Sequence, residues 1–317
     1  MSYWQQHITR ISVAMRSPLT GQACFALISP EVYKKPLFGF KQRLKNFVRR
    51  ITGSSRHIPD LYYDEASDFG FFPRPDEDFL VQYYAQLGNV QANDRRNRFE
   101  FAQSASMAKS AEQMICWIEE KTSVIPAGNS AADFGSGSGW MALSLAKRIQ
   151  NVVAADFSYE AISHISELNN KIMLEALEGF WGSDQEFDLI SSVDVFEHLT
   201  DPVETLKRLY KKTRTGGHVF ISVPNFNSYF SRVCLGIHPY FAYPAHLNYF
   251  TQKSLMQLCQ MVGYAPVSCE IRTLPWEFEY ISHAFPRRVH DISGWRLMDL
   301  MSEQEYGERL FCLAVKS

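Results

Sequence analysis

None of the six cysteines (24, 116, 234, 259, 269 and 312) stands in a C-x-x-C pair. That spacing excludes a zinc knuckle or a small disulfide scaffold and predicts buried thiols in a reducing compartment. Long apolar runs are missing too: no stretch approaches the roughly 20 residues a membrane-spanning helix needs. The start, MSYWQQHITR, is polar and lacks the basic start plus apolar core of a secretory signal. Nor does one sign of charge dominate. The chain carries 32 Lys and Arg against 34 Asp and Glu, a net charge of -2, which argues against duplex nucleic acid as a partner. These absences predict a soluble, cytoplasmic protein. What is present is 46% hydrophobic residues in 317, enough to bury a full core, with a length that suggests about two domains.

From Ser130 onward, short apolar runs alternate with helical patterns, as in parallel strands joined by crossover helices. SAADF (130–134), NVVAADF (151–157), FDLISSV (187–193) and HVFISV (218–223) read as strands, with a weaker one at 172–176. Helices are expected from Trp140 to Arg148 and from about Glu160 to Asn169. A third starts at Asp201-Pro202 and ends near Gly216-Gly217, and a fourth is capped by Thr251 and closed by Gly263. APVSCEIR (265–272) and RLFCLAVKS (309–317) finish the chain as extended segments. The reading is an α/β doubly wound sheet.

Residues 1–94 have a different texture, with turn signals and no sustained βα rhythm, and are expected to form an appendage or lid. Within them, 34–56 hold eight Lys and Arg and no acid, while Phe40, Leu44, Phe47, Val48 and Ile51 recur at helical spacing. This predicts a basic amphipathic helix, a candidate for peripheral contact with an anionic membrane or polyanion.

The strongest local signal is DFGSGSGW (133–140), where Gly135, Gly137 and Gly139 lie between a strand and a helix and allow a ligand close to the backbone. A dinucleotide fingerprint would place a third glycine at 140, which is Trp140, so an NAD-dependent oxidoreductase is the weaker reading. Asp156 follows Gly139 by 17 residues, at the end of the next strand, where a carboxylate can accept both hydroxyls of a ribose.

This stretch resembles motif I and the following acidic position of class I S-adenosylmethionine-dependent methyltransferases. The resemblance continues through 187–225 and 246–264, which look like the EHxxDP, PGG and HLxYF segments of a broad small-molecule subgroup, and it covers about 95–317. It implies a Rossmann-like seven-stranded sheet with its last strand antiparallel, S-adenosylmethionine as cofactor, and methyl transfer to a small-molecule acceptor through oxygen, nitrogen or carbon. It also implies roles. Asp133 would hold the methionine amino group directly or through water, Gly135, Ser136 and Gly137 would lie under the methionine moiety, and Asp156 with Phe157 would meet the ribose and its surroundings. Glu175 and Ala176 stand approximately where the family's adenine contact falls, and Val193 and Asp194 would border the cofactor.

An oxygen or carbon nucleophile usually needs a base, and the candidates are His198, His238 and His246. The aromatic insert 228–245 carries Tyr229, Tyr240 and Tyr243 at the edge where open sheets bind ligands, and Tyr83 and Tyr84 precede the core as a lid segment would. All five tyrosines are candidate acceptor contacts. RSPLTGQAC (16–24) resembles the start of a zinc-binding region in some sugar methyltransferases, but the cysteine pairs are missing and no metal is expected. The alternative to an enzyme is a methyltransferase-fold protein that docks on a surface without turnover.

Overall fold

The computed structural model describes residues 8–28, 59–76, 78–80, 104–122, 125, 129–228, 231, 243–277 and 307–317. The expected basic helix, Tyr83, Tyr84, Tyr229, His238 and Tyr240 lie outside them.

In chain order, β1 (Ile8–Arg16), β2 (Ala23–Ile28), β3 (Tyr62–Asp64) and β4 (Phe69–Phe71) precede helix α1 (Ala105–Lys121). Then come β5 (Ser130–Phe134), α2 (Trp140–Leu145), β6 (Asn151–Asp156), α3 (Tyr159–Ile162), α4 (Ile165–Leu168), β7 (Met173–Ala176) and α5 (Leu177–Gly182). The chain continues with β8 (Phe187–Val193), α6 (Pro202–Lys212), β9 (Thr213–Pro224), β10 (Asn248–Tyr249), α7 (Gln252–Val262), β11 (Tyr264–Arg272) and β12 (Arg309–Lys316).

Seven of these strands form one sheet in the order β11-β12-β9-β8-β5-β6-β7. Strands β7, β6, β5, β8 and β9 run parallel, and β12 enters antiparallel between β9 and β11. Central strands covered on both faces must be apolar throughout, and every residue of β5 is buried. One face packs Phe134, Phe187, Leu206 and Leu258 in its core, the other Met114, Ile118, Met141 and Leu145. Helix α1 belongs to the second core: Met107, Ala111, Met114 and Ile118 fall on one face, and the Ser104 side chain caps it by accepting from the Met107 amide at 3.3 Å.

The expected caps are present. Asp201 accepts from the Glu204 amide at 2.9 Å ahead of Pro202, Thr251 and Ser254 form a capping box, and Gly263 ends α7 at φ +107°. Three helices differ from expectation, and the first, α2, ends at Leu145 rather than at Arg148. Helix α6 stops at Lys212 rather than near Gly216, because Thr213 already pairs with Phe187 in the sheet. The helix expected over 160–169 is two short helices, broken where His164 turns its Nε2 onto the Ser138 carbonyl at 3.0 Å.

The amino-terminal segment adds a second sheet, in the order β1-β2-β3-β4-β10. Its last member comes from HLNYF: Asn248 pairs with Phe71 and Tyr249 with Gly70. Gly70 leaves room for the Phe226 ring, which a Cβ there would meet at 2.9 Å, and Thr251 Oγ1 donates to the Asp68 carbonyl at 3.0 Å. Phe69 and Phe71 share a core cluster with Ile221, Phe250 and Leu310, so this part of the segment is packed onto the main sheet.

Candidate active site

The loop from Gly135 to Gly139 joins β5 to α2 at the carboxyl edge of the main sheet, beside the end of β6. All three glycines have positive φ, at +74°, +52° and +80°, which L side chains rarely adopt. Their surroundings differ. A Cβ at Gly135 would lie 2.3 Å from Val195 and one at Gly139 2.4 Å from Ile165, whereas one at Gly137 meets nothing within 4 Å among the described residues. Gly135 and Gly139 therefore serve close packing, and Gly137 borders open space.

The loop amides point inward. Gly135 and Ser136 both donate to the Ala155 carbonyl, at 2.8 and 3.1 Å, and Gly139 donates to the Ser136 carbonyl at 2.8 Å. Asp133, expected to meet the cofactor's amino group, is 2% exposed. Its oxygens accept from Ser136 Oγ at 2.8 Å, Ser191 Oγ at 2.8 Å and the Ala142 amide at 3.2 Å. Burial raises its pKa to about 6 despite those donors, with the Asp156 charge adding to the rise. Asp133 is thus a brace beneath the loop, with Ser136 as its partner. His164 holds the far side of the loop through Ser138.

Asp156 is placed differently. Its Oδ2 accepts from the Gly137 amide at 2.9 Å and its Oδ1 from the Ser158 amide at 3.1 Å. A carboxylate offers about four lone-pair positions, so about two remain for hydroxyl donors. Phe157, next in sequence, is 77% exposed and offers a flat apolar face. Glu175 and Ala176 lie beside it in register with Ala155 and Asp156, and the Glu175 carboxylate occupies the space that Gly179 leaves by lacking a side chain.

On the other side, Val193 ends β8 and Asp194 follows it at φ +57°. The Asp194 amide donates to the Ser222 carbonyl at 3.0 Å, and its carboxylate receives Arg309 at 2.6 Å. Arg309 is completely buried, and its Nε donates to Glu277 Oε1 at 3.0 Å. The sequence reading missed Arg309; its signal is a cation opening the otherwise apolar strand RLFCLAV.

The EHxxDP and HLxYF segments meet directly. The Glu197 carbonyl accepts from the amides of Leu247 at 2.7 Å and Asn248 at 3.0 Å. The Asn248 side chain donates to the carbonyls of Phe196 at 3.0 Å and Leu199 at 2.7 Å. His198 Nδ1 lies 2.8 Å from the Ala245 carbonyl, and the His198 and His246 rings meet edge-on with centroids 4.6 Å apart. Burial lowers the pKa of His198, which favours neutral imidazole. The structure brings His198 and His246 together. Tyr243 instead packs edge-on against Phe72 at 5.1 Å, in the apolar cluster beneath the second sheet.

A doubly wound sheet with an inserted antiparallel strand, a glycine loop after its first main strand and a carboxylate after the second defines the class I S-adenosylmethionine-dependent methyltransferase fold. A family model described as a methyltransferase domain matches residues 108–269, and the chain belongs to this family. Over 199 residues it is 29% identical to a mitochondrial ubiquinone biosynthesis O-methyltransferase of Dictyostelium discoideum, covering 50% of this chain and 60% of that protein. Over 122 residues it is 28% identical to the ubiquinone biosynthesis O-methyltransferase of Pseudomonas entomophila, covering 36% of this chain and 51% of the relative. The matched part thus spans between half and two thirds of these relatives' own lengths. In fold, the chain is similar to magnesium protoporphyrin IX methyltransferase of Synechocystis with bound S-adenosylhomocysteine. That comparison has a TM-score of 0.50 at 11% identity, covering 76% of this chain and 100% of the other. No helix among the described residues is long and apolar enough to cross a membrane.

Proposed function

We propose that the protein methylates a hydroxyl oxygen of a small-molecule acceptor, with S-adenosylmethionine as cofactor. The observation that carries the reading is Asp156, a carboxylate tied to the open face of the glycine loop through the Gly137 amide with lone pairs unspent. When bound, S-adenosylmethionine supplies an electrophilic methyl group on a cationic sulfur. Asp156 would take the ribose hydroxyls, Phe157 would cover apolar surface of the nucleoside, and Asp194, held by Arg309, would border the other side. Asp133 keeps the loop in shape from below. The choice of oxygen draws on the O-methyltransferase relatives.

S-adenosylhomocysteine at 100 times its Kd is expected to stabilise the wild type by about 2.7 kcal/mol. Asp156→Ala should lose most of that, since a hydrogen bond to a charged group is worth about 1.5–3 kcal/mol. Thermal denaturation with and without the ligand reads both. A wild-type melting temperature unmoved at millimolar ligand overturns the cofactor assignment, and stabilisation by NAD instead revives the oxidoreductase alternative.

A further inference from the structure

Glu197 is 2% exposed, and among the described residues neither of its carboxylate oxygens has a hydrogen-bond partner. A carboxylate out of water and without donors is unfavourable unless a cation compensates it. Both histidines stand beside it. His198 Nε2 lies 3.9 Å from Glu197 Oε1, and one ligating atom from each of Glu197, His198 and His246 falls within 4.8 Å of the others. Two ligands held at about 2.1 Å from one ion are at most about 4.2 Å apart, so the 3.9 Å spacing already admits an ion and the rest closes with sub-ångström adjustment.

The tautomer is set as well. A carbonyl only accepts, so the 2.8 Å contact with Ala245 puts the proton on His198 Nδ1 and leaves Nε2 with a lone pair toward Glu197. An imidazole whose other nitrogen is fixed on a backbone carbonyl is the usual support of a metal ligand. The two ligand-bearing segments are locked together by Asn248 and by the Leu247 and Asn248 amides. Glu197 and His246 also line a small cavity with Asn225, Phe226 and Tyr249, with room for about one water-sized oxygen ligand.

We propose that Glu197, His198 and His246 bind one divalent transition-metal ion of the zinc class, facing this cavity. Two imidazole nitrogens and one carboxylate suit such an ion better than magnesium or calcium, which prefer all-oxygen sets. The sequence expectation of no metal followed from the missing cysteine pairs, and this ligand set uses no cysteine. Resting on the O-methylation reading, the ion's role is to seat the acceptor hydroxyl in its open position and make its proton easier to lose to solvent.

The test is titration of the full chain, after chelator treatment and dialysis, with cobalt(II) followed by visible absorption and with zinc(II) followed by calorimetry. One equivalent should bind saturably. Glu197→Gln and His246→Gln should each weaken binding about 100-fold or more, beyond the 10-fold to 100-fold usual for a supporting residue. Asp156→Ala should bind the metal like wild type, and S-adenosylhomocysteine stabilisation is measured on the same preparations. Saturable metal binding without cofactor binding would sink the methyltransferase reading and leave the site standing. Wild type without a one-to-one cobalt or zinc complex, or both substitutions leaving affinity unchanged while the proteins melt cooperatively, overturns the proposal.

Discussion

Replacing Arg309 with methionine tests how the end of β8 is held. The guanidinium is completely buried and bridges Glu277 at 3.0 Å and Asp194 at 2.6 Å, with Ser222 Oγ at 3.4 Å. Methionine fills similar volume but removes the only charge in the trio that offsets two carboxylates. Asp194 is partly exposed and can turn to water, whereas Glu277 is 1% exposed and keeps the Leu274 amide at 2.8 Å on its other oxygen. Breaking a buried pair by removing one partner costs about 3–5 kcal/mol, mostly as the penalty of the stranded charge. For 317 residues the unfolding entropy is about 0.7 kcal/mol/K, so Tm should fall by about 4–7 °C. The double substitution Arg309→Met with Glu277→Leu removes the stranded charge and should recover at least half of the loss. Scanning calorimetry of the three proteins, with S-adenosylhomocysteine affinity alongside, separates fold from site: the single variant should also bind more weakly, because Asp194 loses its anchor. A drop below about 2 °C in the single variant, or a double variant less stable than it, would refute the reasoning.

The pKa of Asp133, raised to about 6, has a definite sign. The folded state holds the proton more tightly than the unfolded chain, so this group's contribution to stability declines as pH rises from about 4 to about 6. Asp133→Asn removes that dependence. Denaturant unfolding should show the stability difference between variant and wild type shifting toward the variant by up to about 3 kcal/mol between pH 4 and pH 7, and a difference flat with pH would contradict the buried titration. The glycines of the loop should divide by their surroundings. Gly139→Ala meets Ile165 at 2.4 Å in a left-handed backbone and should destabilise by more than about 2 kcal/mol. Gly137→Ala meets no described atom within 4 Å, so it should cost about 1–2 kcal/mol of stability yet weaken S-adenosylhomocysteine binding at least 10-fold; an unchanged affinity in this variant would show that Gly137 does not border the cofactor.

Local pattern decides much of this protein before any tertiary contact is considered. Parallel strands buried on both faces must be apolar throughout, which is why SAADF and FDLISSV are legible at their observed bounds. Caps are equally local: Asp201 with Pro202, Thr251 with Ser254, and Gly263 each act on backbone groups within a turn. The glycine spacing and the placement of Asp156 follow from the same strand-turn-helix unit. Helix α1 was as readable, since Met107, Ala111, Met114 and Ile118 repeat at helical spacing, but its place ahead of the βα rhythm left it unread.

What tertiary structure alone decided are pairings between residues far apart in the chain. Strand β4 is too short to be stable alone, and its partner Asn248–Tyr249 lies about 180 residues away, so neither carries a strand signal of its own. That Asp133 also braces the loop is visible only once Ser191, on the neighbouring strand, is seen to donate to one of its oxygens. Arg309 meets Asp194 and Glu277 only because the last strand inserts beside β9. The same holds for Glu197, His198 and His246, which lie 48 or 49 residues apart across the two segments. Motif and periodicity report what one residue asks of its own backbone and solvent. Which buried charge meets which partner depends on sheet order and register, set by the summed burial of the whole core.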